Sequence, residues 1–303
     1  MKLAVVGSMN LDITLVVERM PVLGESLRSR ETVQAPGGKG ANQAVAAARS
    51  GAEVHMFGQV GNDPYAEFVK DNFRANGINV DGILTDPKEA TGLAFIFVEG
   101  GDNRILLASG ANDTFSPEQV EALSEQILAC DAVLLQNENR VETLAKTIAL
   151  CRGKMPIFLN PAPAMAYPDG LMDGVDYLTP NQSEYEFYTQ RSLADLADLE
   201  TGLKALQGLG VREPLITLGT RGVAYLDAGR AQLVPGFKVE TVDSTGAGDT
   251  FSGCFAYRRM VGDDLPTAIR YAQAAAAMTC TRLGAQAAIP RASEVLRFLE
   301  QNG

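Results

Sequence analysis

The residues with the clearest chemical potential form one short segment, Asp243-Ser-Thr-Gly-Ala-Gly-Asp249. An apolar stretch typical of a β-strand, Phe237–Val242, comes directly before it. A helix follows, indicated by apolar residues at positions i, i+3 and i+4, namely Phe251, Cys254 and Phe255. The pattern therefore predicts a strand, a turn and a helix whose first turn is Gly246–Asp249.

Small residues in that first turn let main-chain N–H groups approach a ligand. Unpaired N–H groups and the helix dipole both favour an anion there. A carboxylate beside them, Asp249, can take a proton from an alcohol while the amides of Gly246, Ala247 and Gly248 stabilise charge on a phosphoryl group. This set is suited to phosphoryl transfer. The alternative is that Asp249 only complements the helix dipole.

A second glycine cluster, Ala35-Pro-Gly-Gly-Lys-Gly-Ala-Asn42, precedes a helix that Gly51 is placed to end. A tight strand-to-helix turn explains one or two of these glycines, but not all of them together with Lys39 and Asn42. The cluster is not a Walker A loop, because Val33 replaces the first glycine and no Ser or Thr follows the lysine. Gly7-Ser-Met-Asn10 likewise lacks the dinucleotide-binding glycine pattern. If the protein is a kinase, it must bind phosphates by an arrangement other than these two glycine motifs.

Together with Gly7-Ser-Met-Asn-Leu-Asp12 and Asn181-Gln-Ser-Glu184, the two clusters resemble the ribokinase-like (PfkB) carbohydrate kinases. The similarity runs from Val5 to Pro290, with the motifs in the family's order. The resemblance implies an ATP-dependent sugar kinase that transfers the γ-phosphoryl group to the 5-hydroxyl of D-ribose, giving ribose 5-phosphate.

The resemblance also implies roles for individual residues. Asp249 would be the base, and Gly246, Ala247 and Gly248 would form the anion cradle. The sugar would be bound by carboxylates, amides and the glycine bend, namely Asn10, Asp12, Gly38, Lys39, Asn42, Glu138 and Asp249. Asn10 and Asp12 could instead form a loop cap. We expect them at the carboxyl end of the first strand, where such sheets bind ligands, and this position favours a role in sugar binding.

The nucleotide side is assigned by the same resemblance. Asn181 and Glu184 would act near the phosphates and Mg²⁺, with Glu184 reaching the metal through water; the alternative is an ordinary N-cap with a reaching glutamate. The remaining nucleotide contacts would come from Gly248, from a strand-turn and from a helix near the adenine: Thr217, Gly219, Thr220, Arg221, Gly222 and Gln273.

Many members of the family are activated by a monovalent cation such as K⁺, bound beside the anion cradle. The matching positions would act mostly through main-chain carbonyls, and they are Asp243, Thr245, Thr279, Arg282, Gly284 and Ala288. Ala288 departs from the family pattern, which commonly has a hydroxyl side chain there. We therefore expect weaker activation by K⁺.

Composition narrows the possible classes of protein. The chain has 303 residues, 46% of them hydrophobic, and a net charge of −11. The hydrophobic content excludes disorder, and the acidity argues against a nucleic-acid partner. The single histidine, His55, lies in a strand pattern, which excludes histidine-dependent triads. The sequence shows no signal peptide and no apolar run long enough for a membrane span, so we expect a cytoplasmic protein with no membrane partner. The four cysteines form no C-x-x-C pair, which argues against a zinc site.

Short apolar strands alternate with amphipathic helices along most of the chain. This alternation predicts an α/β three-layer sandwich, a mostly parallel central sheet with helices on both faces. The strands are expected at 3–6, 54–57, 132–136, 157–160, 177–179 and 215–218, and helices at 65–75, 117–129, 141–151 and 200–209. Further helices are expected around Leu265–Ala276 and near Val295–Leu299.

Two segments, about 11–36 and 91–110, carry strands without intervening helices. They include a hairpin of Leu93–Val98 and Arg104–Leu107 around the turn Glu99–Asn103. We expect these insertions to form a small β-sheet lid over the sugar within a single kinase domain, 1–303, and to serve as the contact of a homodimer.

Other functions stay open at the level of the sequence. Another sugar or nucleoside kinase of the same family, such as a deoxyribokinase or fructokinase, is the nearest alternative. A sugar-phosphate kinase would need several Arg or Lys side chains at the far end of the sugar, where Lys39 is the clear cationic candidate. A non-catalytic sugar-binding protein is less consistent with the presence of Asp249 and an intact cradle.

Overall fold

The computed structural model describes residues 1–100, 102–193 and 198–302. Within them, nine strands form the main sheet: β1 (Lys2–Val6), β4 (Glu53–Gly61), β5 (Asn79–Asp86), β8 (Ala132–Leu135), β9 (Ile157–Leu159), β10 (Tyr177–Leu178), β11 (Glu213–Thr217), β12 (Val223–Asp227) and β13 (Arg230–Val234). Their order across the sheet is β13-β12-β11-β10-β9-β8-β1-β4-β5. Strands β5 to β11 in this order are all parallel, and β12 and β13 add an antiparallel edge.

Helices cover both faces of this sheet. In chain order they are α1 (Lys39–Ser50), α2 (Pro64–Ala75), α3 (Pro117–Ala122), α4 (Ser124–Leu128), α5 (Val141–Cys151), α6 (Gln182–Thr189), α7 (Asp198–Gln207), α8 (Ala247–Met260), α9 (Leu265–Cys280) and α10 (Ala292–Asn302). Two short 3₁₀ turns lie at Gly110–Thr114 and Gly219–Arg221.

Side-chain alternation along β1 divides the interior into two cores. Leu3 and Val5 pack with α1, α2, α8 and α9 on one face. Ala4 and Val6 pack with helices α3 to α7 on the other. Because successive strand residues point to opposite faces, one buried strand supplies both cores. The predicted three-layer sandwich is confirmed.

A second, four-stranded sheet stands beside the main one. Its strands are β2 (Asn10–Val17), β3 (Glu31–Gly37), β6 (Gly92–Glu99) and β7 (Asp102–Ala108), in the order β3-β2-β6-β7. The β6–β7 pair is the expected antiparallel hairpin, with Leu93 opposite Ala108. Gly101 of its predicted turn lies outside the described residues. This small sheet is called the lid sheet below.

Two local predictions are wrong. Residues Phe237–Val242 are not a strand: β13 ends at Val234, and the N–H groups of Val242 and Asp243 donate to the carbonyl of Cys280 at the end of α9. The segment is therefore hydrogen-bonded to the C-terminal end of α9, and it pairs with none of the strands in the described part of the chain. The helix expected at 117–129 is two short helices, because the chain leaves helical geometry at the buried Leu123 (φ −94°, ψ 4°).

Candidate active site

Polar side chains collect where the parallel strands of the main sheet end. Ser8 follows β1, Glu138 follows β8, Asn160 follows β9 and Asn181 follows β10. The N-termini of α1 and α8 face the same edge. One cavity there, which we call the central cavity, is lined by Lys39, Asn160, Asn181, Glu184, Gly246, Gly248 and Asp249. Open parallel sheets bind ligands at this edge. The fold thus brings the two glycine clusters together, although about 200 residues separate them.

Asp249 lies in the first turn of α8 and is buried. Its carboxylate accepts two amide hydrogen bonds from α1, from Asn42 Nδ2 to Oδ2 at 2.9 Å and from Gln43 Nε2 to Oδ1 at 3.0 Å. These neutral donors orient the carboxylate without neutralising it. Each oxygen keeps further acceptor capacity, so the group can still accept a proton from a ligand.

The cradle adopts the conformation that its glycines permit. Gly246 is the N-cap of α8 with φ 76°, a left-handed conformation that disfavours a side chain. Gly38, the N-cap of α1, has φ 90°, and a Cβ there would lie 3.0 Å from the main-chain nitrogen of Asn10 and the carbonyl of Ser8. Of the helix N-termini that border the cavity, those of α1 and α8 therefore both begin at glycines with positive φ.

The cavity concentrates negative charge around one lysine. Attraction to Asp249, and also to Glu138 and Glu184, raises the pKa of Lys39 although burial opposes it. Burial, reinforced by Glu138 and Asp249, raises the pKa of Asp12 to about 7. Asp12 does not line the cavities described here, but a half-buried carboxyl with a raised pKa beside two other carboxylates is typical of a functional site.

The predicted sugar residues lie around this carboxylate cluster. Glu138 Oε2 accepts from Ser8 Oγ at 2.5 Å and from the main-chain N–H of Lys39 at 2.9 Å, which ties the ends of β1 and β8 to α1. Asn10 is buried, and its Oδ1 accepts from Asn112 Nδ2 at 2.8 Å. Asn10, Asn112 and Glu138 also line a second cavity under the lid sheet. We call this second cavity the lid-side cavity.

Asn181 and Glu184 form the capping box that was the alternative interpretation. The Asn181 side chain accepts from the Glu184 N–H at 2.9 Å, and Glu184 accepts from the Asn181 main-chain N–H at 2.8 Å. Both residues nevertheless line the central cavity. Burial raises the pKa of Glu184, although the hydrogen bond from the Asn181 N–H and the charge of Lys39 both act to lower it. The cap therefore fixes a carboxylate at the cleft, and the two interpretations are compatible.

A third cavity of about 410 Å³ lies beside the cradle, between β11, β12 and α9. Among the predicted nucleotide residues, those that line it are Thr217, Gly219, Thr220, Gly222 and Gln273. The Nε2 group of Gln273 donates to the carbonyl of Val234 at 3.0 Å, while its buried Oε1 has no partner among the described residues. The walls are largely apolar and suit a planar base. We call it the base-side cavity.

Arg221 does not join this cavity. Its guanidinium donates to Gln182 Oε1 at 2.8 Å and the residue is exposed. The turn is built as expected, but this side chain extends along the surface towards α6.

The predicted cation positions are only partly brought together by their side chains. Asp243 accepts from the N–H and hydroxyl of Thr245, at 2.9 and 2.6 Å, and from the N–H of Gly284 at 3.0 Å. Burial raises the pKa of Asp243, but these hydrogen bonds outweigh it and the net shift is downward. The side chain of Thr279 donates to the carbonyl of Ala275, and Arg282 pairs with Glu294.

Ala288 is fully buried and offers no side-chain oxygen. Any contribution from these last three positions would therefore come from main-chain carbonyls. Among the described residues, no cluster of three or more acidic, His or Cys side chains forms a metal site.

Comparison with known proteins assigns the chain to a family. The model of the pfkB family of carbohydrate kinases matches residues 1–292. The ribokinase of Haemophilus influenzae is 40% identical, with 98% of each chain covered, and that of Bacillus subtilis is 38% identical, with 98% of this chain and 99% of the relative covered. The chain belongs to the pfkB family of carbohydrate kinases. The predicted family and the predicted carbohydrate kinase activity are thereby confirmed.

A solved structure agrees with this membership. Arabidopsis thaliana ribokinase, complexed with ribose and ATP, is 28% identical and aligns with a TM-score of 0.91 over 98% of both chains. No helix within the described part of this carbohydrate kinase has the length and apolar character needed to cross a bilayer.

Several residues of the site were not predicted from the sequence of this carbohydrate kinase. The amides of Gln43 and Asn112 contact Asp249 and Asn10 directly. Gln43 follows Asn42 within the glycine cluster, and that position was a usable signal. Ser244 lies within the Asp243–Asp249 segment, and Phe251 and Ser252 follow it in α8, so these positions were usable signals as well. The others lie outside the quoted motifs, and they include Asn160 and Thr179 in the central cavity, Arg140 in the lid-side cavity, and Phe237, Val239, Thr241, Ala276, Ala277 and Cys280 in the base-side cavity.

Proposed function

We propose that this protein is an ATP-dependent kinase that phosphorylates the 5-hydroxyl of D-ribose. One observation carries the proposal: the oriented carboxylate of Asp249 lies in the first turn of α8, in the cavity that the glycine cradle also lines. The lid-side cavity holds polar groups for a sugar, and the base-side cavity adjoins the cradle through Gly248. The two substrates would meet at Asp249.

In the proposed reaction, the 5-hydroxyl oxygen attacks the γ-phosphorus of ATP as its proton passes to Asp249. The bond from the γ-phosphorus to the bridging oxygen breaks, and ADP leaves with that electron pair. The N–H groups of Gly246, Ala247 and Gly248 would stabilise negative charge on the transferring group. Lys39, the cationic side chain of the central cavity, would add positive charge there. In this reaction the carboxylate of Asp249 would be the general base, so the proposed mechanism needs no histidine.

Ribose is favoured by the polar groups available to bind it. Asn10, Asp12 and Glu138 offer amide and carboxylate groups that match vicinal hydroxyls, which both donate and accept. Gly38, Lys39 and Asn42, at the start of α1, would form a second wall of the sugar site, as the family resemblance implies. The relatives described above are named ribokinases, and the Arabidopsis neighbour binds ribose and ATP. These likenesses support the assignment of ribose to this chain.

The nucleotide would bind with its base beside Gln273 and its phosphates along the turn at Thr217–Gly222. Mg²⁺ would arrive with ATP and neutralise phosphate charge, and Glu184, held by Asn181, would hold it through water. We also propose that K⁺ binds at the loops joined by Asp243, Thr245 and Gly284, with carbonyls of Thr279, Arg282 and Ala288 as further ligands. Activation by K⁺ should be weak because Ala288 brings no hydroxyl.

We further propose that the protein is a cytoplasmic homodimer within which each chain is one domain, with insertions 11–36 and 91–110 forming the lid. An apolar row on the lid sheet supports the dimer: Leu106 is 64% exposed, and Phe95 and Ile13 lie beside it in register. The four cysteines are free thiols, which suits a reducing compartment.

A substrate panel tests the proposal. Initial rates of ADP formation should be measured with ribose, 2-deoxyribose, fructose and other pentoses and hexoses, each with Mg-ATP. Ribose should give the highest kcat/KM. A better rate with fructose or deoxyribose would replace the sugar while leaving the kinase assignment standing. ADP formation that no sugar stimulates would refute the kinase proposal itself.

The same panel tests the cation when K⁺ is exchanged for a bulky organic cation at constant ionic strength. We expect a modest fall in kcat without K⁺. Equal rates in both salts would remove the proposed cation site.

A further inference from the structure

The carboxylate of Asp249 is held by a chain of buried amides that extends beyond its two direct donors. Asn42 and Gln43 donate to it, so the oxygen of each amide faces away from the carboxylate. Those oxygens accept from two more glutamines: Gln286 Nε2 donates to Asn42 Oδ1 at 3.0 Å, and Gln136 Nε2 donates to Gln43 Oε1 at 2.8 Å. All four amide side chains are buried.

The outer amides select the orientation of the inner ones. A side-chain amide has a donor end and an acceptor end of nearly the same shape, and a half-turn exchanges them. If Asn42 turned, its oxygen would face the Asp249 carboxylate, and two acceptors would meet without a hydrogen. The donor on Gln286 opposes this rotation because it must be met by the oxygen of Asn42. Gln286 is itself oriented, since its Oε1 accepts from Asn72 Nδ2 at 2.6 Å.

The main chain around Gln286 is also fixed relative to Asn42. Gln286 lies between α9 and α10 and is 4% exposed. The guanidinium of Arg49 donates to the carbonyls of Gln286 and Ile289, both at 2.7 Å. Arg49 and Asn42 belong to the same helix, α1, so this loop and its glutamine are attached to the helix that presents Asn42. Gln286 is not among the residues that line the central, lid-side or base-side cavities.

We infer that Gln286 is a positioning residue for the reaction, acting through Asn42 on the Asp249 carboxylate. The inference rests on the proposed role of Asp249 as the base. Without the Gln286 donor, the Asn42 amide loses one of its two restraints, and the hydrogen bond that orients Oδ2 of Asp249 is held less firmly. The remaining lone pairs of the carboxylate then face the sugar hydroxyl less often in the productive direction, and small misplacements of a reacting group are costly in rate.

The first test is Gln286→Met, which keeps the length of the side chain and removes the donor. We expect kcat to fall about tenfold to a hundredfold, with the affinity for ADP within about twofold of wild type. Gln59→Met is the matched control. Gln59 is 2% exposed, and its Nε2 donates to Asp86 and Thr114, outside the amide chain. Its kcat should stay close to wild type.

A double variant separates positioning from general packing. If Gln286 acts through Asn42, Gln286→Met should lower kcat by less than about twofold in an Asn42→Ala background, because the relay is already broken. Independent multiplication of the two losses would overturn the inference. So would a kcat loss in Gln286→Met no larger than that in Gln59→Met.

A direct readout of Asn42 needs no turnover. With ¹⁵N-labelled asparagine, the side-chain amide signal of Asn42 is identified by its absence in Asn42→Ala. It should move in Gln286→Met and stay in place in Gln59→Met, and an unmoved signal would refute the relay. A wild-type protein that phosphorylates no sugar defeats the proposed function, whereas this signal still decides the relay. Should Gln286→Met not fold, Asn72→Ala, which removes the donor to Gln286, replaces it with a smaller expected shift.

Discussion

At the scale of single residues, the proposed chemistry depends on the orientation of one buried carboxylate. Asp249 faces the cleft with amide donors on both oxygens and no hydrogen-bonded cation among the described residues. A carboxylate that only complemented a helix dipole would not need two buried amides from another helix to orient it. The arrangement favours the proposed general base.

The variant Asp249→Asn tests that role. Asparagine keeps the shape of the side chain but cannot take up the proton, so kcat should fall by about 10²–10⁴. Dissociation constants for ribose and ADP, measured by calorimetry, should stay within about threefold, because binding does not need the base. Wild-type turnover in this variant would assign the proton transfer elsewhere.

Asp12 gives a prediction about pH and stability. Burial and the neighbouring Glu138 and Asp249 raise its pKa to about 7, whereas an aspartate in an unfolded chain titrates near 3.8. Between these values the native protein keeps a proton that the unfolded chain has lost. This group therefore lowers the free energy of unfolding as pH rises from about 4 to about 7, and the loss persists above that range.

Asp12→Asn removes this contribution. The melting temperature of the variant minus that of wild type, measured without ligands, should increase by a few degrees from pH 5 to pH 8. The exposed Asp81→Asn is the control, and its difference from wild type should stay constant. A pH-independent difference for Asp12→Asn would contradict the raised pKa.

At the scale of elements, two glycines in the first turn of α8 allow effects on stability to be distinguished from effects on activity. A Cβ on Gly248 would meet no atom within 4 Å, and Gly248 lines both the central and the base-side cavities. Gly248→Ala should leave the melting temperature unchanged or higher, because alanine favours helix over glycine by about 1 kcal/mol. Its methyl group would occupy phosphate space, so kcat/KM for ATP should fall about tenfold or more.

Gly246→Ala is the informative comparison in the same turn. Gly246 has φ 76°, and a Cβ there would approach the Cα of Ala285 at 3.2 Å. This variant should lose both stability and activity. Wild-type kinetics in Gly248→Ala would show that the phosphates do not contact this turn.

At the scale of the whole molecule, the lid sheet has one face towards the site and one away from it. Leu107 lines the lid-side cavity and pairs with Ala94, which in turn pairs with Asp12. The preceding residue, Leu106, must point the opposite way, and it is 64% exposed. An apolar outer face of this kind is typical of a protein–protein contact.

We therefore expect Leu106→Lys to convert the homodimer to a monomer. Sedimentation equilibrium should give the mass of one chain for this variant and of two chains for wild type. Leu296→Lys is the control, because Leu296 is 50% exposed on α10, outside the lid sheet, and its substitution should leave the dimer intact. A monomeric wild type, or a dimeric Leu106→Lys, would exclude the lid as the contact.

Local features of this protein could be predicted because they are written in contiguous residues. The glycines at 246 and 248 predicted a cradle at a helix start, Gly51 predicted a helix end, and alternating strands and helices predicted a parallel sheet. Such patterns depend on backbone conformation and side-chain periodicity within one segment. The same local logic failed at Phe237–Val242, whose apolar residues suit a strand but which follows the edge of the sheet and is held by Cys280 of α9.

The sequence alone therefore determined which residues are chemically able to act and roughly where each element lies. Only the tertiary structure decided which amides donate to Asp249 and that Gln286 donates to Asn42. It also decided that the side chain of Arg221 contacts Gln182 and does not line the base-side cavity. The reason is physical. These contacts join segments up to 244 residues apart. Their geometry depends on how helices pack across two faces of one sheet, and the periodicity of any single segment carries no record of its neighbour in another layer.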